Sequence, residues 1–233
     1  MNRNRHELQN TRLSFAYGLC LYKLFWVFFI SCIVGVIIET IWCVFMWHKL
    51  ESRTGLIYGL FSPVYGFGAV MMTICLNHLT GKKSVWIFVS GIVLGGAFEY
   101  VCSIVQETLF GTVSWDYSNT PLNINGRTNL LYALMWGFLA LLWVNLLYPR
   151  ISDRIEQIPN RMGRTLTWAL AIFMVFDMTI SGLATRRQTE RHLGIPPQNV
   201  FEQHLDSFYS DELLKVIFPN MKIAASSRTA APQ

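Results

Sequence analysis

The chain has 233 residues, of which 52% are hydrophobic and 14% charged, too few charges to cover a water-soluble globule of this length. Its net charge of +5 is spread in short basic clusters between apolar runs, which excludes a nucleic-acid-binding face and reads instead as a set of topology signals. Lipid is the simplest solvent for such a sequence.

The basic N-terminal segment, residues 1–21, carries Arg3, Arg5 and Arg12. The apolar run after it is too long for a secretory signal and lacks a small-residue cleavage site, so the first helix is expected to stay in the mature protein. Between Lys23 and His48 the only charge is Glu39, and between Arg53 and Lys82 there is none. Between Lys83 and Glu107 the only charge is Glu99, between Arg127 and Arg150 there is none, and between Arg164 and Arg186 the only one is Asp177. Each run meets the ~20 residues needed to cross a hydrocarbon core. The fold class is therefore an all-α integral membrane protein with about five transmembrane helices.

The expected organisation is a hairpin at 22–80, a second hairpin at 84–149 with a long loop at 109–129, a basic loop at 150–164, and a fifth span at 165–185. An amphipathic polar tail follows at 186–233. Pro63, Gly66 and Gly68 interrupt the second run and predict a kink or a close helix contact. Trp26, Trp47, Trp86 and Trp168 stand near run ends, where interface aromatics collect. Cys32, Cys43, Cys75 and Cys102 lie within runs, with no C-x-x-C pair and no histidine at ligand spacing, so neither a disulfide framework nor a metal site is indicated. In the tail, Val200, Phe201, Leu205 and Phe208 recur at helical spacing, and a second helix from Ser210 or Asp211 would carry Leu213, Leu214, Ile217 and Phe218. These helices are expected to dock on the bundle or to lie on the membrane.

Basic clusters favour a cytoplasmic N-terminus. Five spans then put the tail outside, which conflicts with Arg186, Arg187 and Arg191 directly after the last span.

The two hairpins share a pattern. Gly35-x-x-x-Glu39 is followed by Arg53-Thr-x-Leu-Ile-Tyr58-x-Leu, and Gly95-x-x-x-Glu99 by Arg127-Thr-x-Leu-Leu-Tyr132-x-Leu. Two-span units cross with the same orientation, so such copies would be related by an axis along the membrane normal. A charge at membrane depth costs a few kcal/mol or more, so Glu39 and Glu99 should face the interior, with Arg53 and Arg127 as candidate partners. Glu39 lies about 12 Å along the helix from Trp47, a long reach for a snorkelling arginine, so a re-entrant entry of Arg53 to its own helix favours the pair. Two readings stay open: interhelical pairs that fix packing, or a substrate or ion site between the repeats. Asp177 has no evident partner, and its simplest fate is protonation or a hydrogen bond to another helix. The loop residues Trp115, Asp116, Tyr117, Asn123 and Asn125 either order the connection and cap the next helix, or form a mouth over a site.

No phosphate-binding G-x-x-x-x-G-K-[ST], no H-E-x-x-H and no G-x-S-x-G is present, so no cofactor and no enzyme activity is expected, and energy for transport would come from an ion gradient or a partner.

Pro63-Val-Tyr65-Gly66-Phe-Gly68, Glu99-Tyr100, Trp115-Asp-Tyr-Ser, Asn123-x-Asn125-Gly126-Arg127, Gly194-Ile-Pro-Pro and Phe218-Pro-Asn-Met221 together resemble the type IV ABC-transporter family of permease-like membrane proteins, the CmpB type. The likeness covers most of residues 30 to 222. It implies a multi-pass protein of a bacterial plasma membrane, working with a separate ABC ATPase subunit, and it carries over no catalytic or binding residue. The rival expectation is a non-transporting scaffold or regulator that recruits a partner through its tail. Self-association into a homo-oligomer is open under either reading.

Overall fold

The computed structural model describes residues 14–224, so Arg3, Arg5, Arg12 and residues 225–233 lie outside the described residues. The helices are α1 (Leu21–Trp47), α2 (Pro63–Leu76), α3 (Ser84–Phe110) and α4 (Leu130–Leu142). A π-helical turn at Trp143–Leu147 carries α4 into α5 (Tyr148–Glu156), and α6 (Asn160–His192), α7 (Val200–Phe208) and α8 (Asp211–Ile217) follow. Pro149 lacks the amide that a regular helical turn would use there, and the wider turn before it absorbs the mismatch. Four stretches are long and apolar enough to cross a membrane: Leu21–Trp47, Ser84–Phe110, Leu130–Glu156 and Asn160–His192. Their outward faces expose large apolar side chains such as Phe45, Val93, Phe138 and Ile172, as lipid-facing helices do. This is a multi-pass membrane protein.

The second apolar run departs from expectation. The expectation is one span with a kink or a close helix contact; Gly66 does make a close contact with α1, but helix forms over only 14 residues, about 21 Å at 1.5 Å per residue, against a hydrocarbon core of about 30 Å. Pro63 opens this helix instead of kinking it, since proline suits a first turn, where its missing amide is no loss. Residues 52–62 before it are non-helical, with Gly59 at positive φ, and Ser62 N donates to the Cys32 carbonyl at 3.1 Å near the middle of α1. The segment thus enters the bundle as open chain and continues as helix.

The expected basic loop at 150–164 is also mostly helix. Ile155 is buried and Ile151 half-buried on α5, while Arg150 and Arg154 point outward, so the segment's amphipathic pattern folds it against the bundle. Only residues 157–159 link α5 to α6, which is correspondingly longer than the span expected at 165–185.

Helices α1 and α2 pack as one antiparallel pair, and α3 and α4 as another, each through small residues. A Cβ on Gly35 would fall 2.2 Å from the Tyr65 ring, and one on Gly95 2.2 Å from the Trp136 ring. The next residues reciprocate: Gly66 meets Phe28 and Cys32, and Gly137 meets Phe88 and Ile92. Phe28, Cys32 and Gly35 keep the same spacing as Phe88, Ile92 and Gly95. Trp143 Nε1 donates to Thr73 Oγ1 at 3.1 Å and Trp26 Nε1 to Thr167 Oγ1 at 2.8 Å, which ties the two pairs to each other and α1 to α6.

Two ends result. One gathers Lys23, the turn before α3 and the α5–α6 link, where fully buried Lys23 pairs with Glu156 and bonds to Ser152. The other gathers residues 48–55, the α3–α4 loop and the tail. There β1 (Thr112–Val113) pairs antiparallel with the chain's last described strand (Lys222–Ile223).

Gly95→Ala should cost about 1–3 kcal/mol of stability by forcing the Trp136 ring aside. Gly96→Ala, whose added carbon would meet nothing closer than 3.6 Å, should be nearly neutral. Thermal unfolding in detergent, followed by size-exclusion of the survivors, separates the two.

Candidate functional site

Glu39, Glu99 and Asp177 are the carboxylates farthest from the ends of the long helices, and each has a different set of partners. Asp177, near the middle of α6, is fully buried and points at the open stretch before α2. Its Oδ1 accepts from the Tyr58 amide at 3.1 Å and from Ser181 Oγ at 3.2 Å, and Ser181 Oγ in turn accepts from the Ile57 amide at 2.9 Å. The partner is therefore a backbone at membrane depth and not another helix. Ser181 sits one turn beyond Asp177 on the same face, so one helix supplies both acceptors.

Glu39 accepts from the Tyr65 hydroxyl, and its other oxygen lies 3.7 Å from Arg53 Nη1. Arg53 also reaches Glu51 at 3.5 Å and lies over the Trp47 ring at 5.5 Å. Arg53 is mostly buried in the open stretch, within reach of Glu39.

Glu99 is resolved differently. Its oxygens accept from the Tyr117 hydroxyl at 2.9 Å and Thr128 Oγ1 at 2.8 Å, and Arg127 does not pair with it. Arg127 instead bonds to Ser103 at 3.0 Å, pairs with Glu107, and lies over the Tyr100 ring at 6.0 Å. Glu99, Ser103 and Glu107 share one face of α3 at four-residue spacing. Arg127, held in the loop at the end of that helix, takes the carboxylate nearest the end.

The loop is self-ordered. Trp115 Nε1 donates to the Arg127 carbonyl at 2.9 Å, and Asn123 Oδ1 accepts from the Gly126 amide at 2.9 Å. Asn125 Nδ2 donates to the Tyr100 hydroxyl at 2.9 Å, with Asn125 and Gly126 both at positive φ. Asn129 caps α4 by accepting from the Tyr132 amide. Hydrogen bonds from Ser118 hold the Asp116 carboxyl below its usual range. Burial, and then the Glu99 carboxylate, push the Tyr117 phenol up, while its ring stacks on Tyr132 at 4.6 Å. The loop thus orders the connection and also covers Glu99.

Several contributors escaped the sequence reading: Tyr65, Thr128, Ser103, Glu107 and Ser181. Helical spacing from Glu99 and Asp177 marks Ser103, Glu107 and Ser181, but nothing in the sequence marks Tyr65 or Thr128 as hydroxyl donors. Among the described residues no group of three or more His, Cys, Asp or Glu is placed to hold a metal ion, and the five cysteines are free.

Residues 26–182 match the model of the family described as "Putative ABC-transporter type IV". The chain belongs to this family. Neither a curated protein nor a solved structure matches it. The matched stretch holds Glu39, Glu99 and Asp177 with their partners, and it ends just before the tail's anchoring arginines.

Those arginines tie the tail down. Arg187, 3% exposed, donates to Asp206 at 3.1 and 2.7 Å, and Arg191 bridges Asp206 and Asp211. Leu205, Leu214 and Phe218 are buried, but Val200, Phe201, Phe208 and Leu213 stay exposed, so α7 docks largely by its charged face and not by the apolar stripe.

Asp177→Ala should lose about 1–3 kcal/mol by leaving the Tyr58 amide unpaired at depth. Asp177→Asn keeps the accepting oxygen and should lose much less, read by protease nicking of residues 48–62 in detergent. Hydrogen bonds from Arg187 and then Arg191 hold the Asp206 carboxyl below the usual carboxylate range. Its contribution to tail docking is then complete above about pH 4 and fades as pH falls through the depressed value. Amide exchange across 200–217 should be flat from pH 8 to pH 5, after correction for intrinsic rates, and should accelerate below about pH 4.

Proposed function

We propose that this chain is the membrane-embedded, permease-like subunit of an ABC-type transporter, without catalytic chemistry of its own and driven by a separate ATPase chain in a bacterial plasma membrane. Family membership over residues 26–182 carries this reading. It is supported by the missing phosphate loop in the 233 residues and by the carboxylates between the helices, which lipid contact alone does not require.

In this reading the open stretch and α2 together make a fifth crossing, and the α1–α2 and α3–α4 pairs are copies of one hairpin. The repeated glycine–aromatic contacts support that relation. The end bearing Lys23 faces the cytoplasm. Lys82, Lys83, Arg150, Arg154, Arg161 and Arg164 gather there with only Asp153 and Glu156 opposite in sign among the described residues. At the other end Arg186, Arg187 and Arg191 are answered by Glu190, Glu202, Asp206 and Asp211, which removes the conflict raised by a basic cluster after the last span.

A second reading, a scaffold without transport, is favoured by one observation: Glu39, Glu99 and Asp177 are fixed by hydrogen bonds from Tyr65, from Tyr117 and Thr128, and from the Tyr58 amide, as groups that set packing would be. Mild-detergent capture of the tagged protein from its own membranes, with mass determination and an ATPase assay, separates the two. A stoichiometric ATP-hydrolysing subunit is the expected result, and the mass also reads the copy number. Its repeated absence would give the scaffold first place. With the ATPase in hand, Glu39→Gln and Glu99→Gln should each lower coupled turnover about tenfold or more while leaving insertion intact. Loss of insertion instead would make both carboxylates packing groups.

A further inference from the structure

The corner between α5 and α6 carries more positive charge than the fold uses. Arg150 and Arg154 are one turn apart on α5, and Arg161 and Arg164 are neighbours on the first turns of α6, separated from them by only the short 157–159 link. All four are exposed, and among the described residues none forms an ion pair. Arg150 spends one nitrogen on the Leu146 carbonyl at 3.0 Å. Of the two described carboxylates nearby, Glu156 is taken by buried Lys23, which among the described residues leaves Asp153 against four guanidinium groups.

The corner is also rigid. The Phe15 amide donates to Asn160 Oδ1, Ser14 Oγ to the Glu156 carbonyl at 3.2 Å, and the Phe15 ring packs where a Cβ on Gly163 would fall 2.3 Å away. Its level in the membrane is marked by Trp168, one turn beyond Arg164 and 64% exposed, the position of an interface aromatic. Guanidinium forks fixed at that level match phosphodiester oxygens bidentately, and basic surfaces between helices at the cytoplasmic face suit anionic headgroups. The charge is held flat against the helix ends by the short link, with no extended loop to carry it to a partner in the water.

We propose that the α5–α6 corner is a docking surface for anionic phospholipid headgroups. The test uses the full chain purified in detergent, offered phosphatidylglycerol and phosphatidylcholine in equal amounts, with bound lipid read by native mass spectrometry. Phosphatidylglycerol should be retained in preference by about tenfold or more. The combined change Arg154→Gln, Arg161→Gln and Arg164→Gln should reduce that preference to about twofold or less with an unchanged size-exclusion profile. Lys82→Gln with Lys83→Gln, charge changes at the same end but off the corner, should keep it. High salt should erase the preference in the native protein without any substitution. Equal retention of the two lipids, preference surviving in the arginine variant or in high salt, or equal loss in the lysine variant would each overturn the proposal. So would saturation of the corner by inorganic phosphate or by an acidic peptide at the expense of the lipid.

Discussion

The amides of Ile57 and Tyr58 impose the constraint on which the rest of this structure depends. They belong to open chain packed against α6 among apolar helices, where lipid cannot complete an unpaired N–H and each such group costs on the order of several kcal/mol. Asp177 and Ser181 supply the two acceptors from adjacent turns of α6. That arrangement fixes α6 against the start of α2, lets Ser62 bond to the middle of α1, and brings Arg53 low enough to meet Glu39. An acid that reads as an orphan in the sequence thus serves as the anchor for a broken second run.

Close packing through glycine then builds both helix pairs. With lipid on the outside, apolar burial drives helix association weakly, so the gain comes from contact between backbones and rings. Gly35 under Tyr65 and Gly95 under Trp136 place an aromatic at the same height in each pair. The chemistry differs, because Tyr65 carries a hydroxyl and gives it to Glu39, whereas Trp136 leaves Glu99 to the loop. The longer connection after α3 is what delivers Tyr117 and Thr128 to that carboxylate.

Charge is distributed by the same economy. At the tail end, arginines and carboxylates of one chain consume each other, turning α7 so that its acidic face meets α6 and its Val200, Phe201 and Phe208 look outward. At the opposite end buried Lys23 takes Glu156, and among the described residues no ion pair answers the arginines of the α5–α6 corner.

The sequence by itself determined the solvent, the long apolar helices, a tail helix over Val200 to Phe208 and a second from Ser210 or Asp211, and the residues too costly to face lipid. These follow from composition, run length and periodicity, which are local properties of the chain. It also offered Arg53 as a candidate partner for Glu39, with the eight residues of helix between Glu39 and Trp47 setting the distance to be bridged. Only the tertiary structure decided that Pro63 starts a helix, that Arg127 chooses Glu107 over Glu99, and that residues 150–164 are helical. Each of those outcomes turns on which groups from distant parts of the chain arrive together. A hydrogen bond or ion pair is chosen by competing distances in three dimensions, and sequence spacing measures distance only along a single helix.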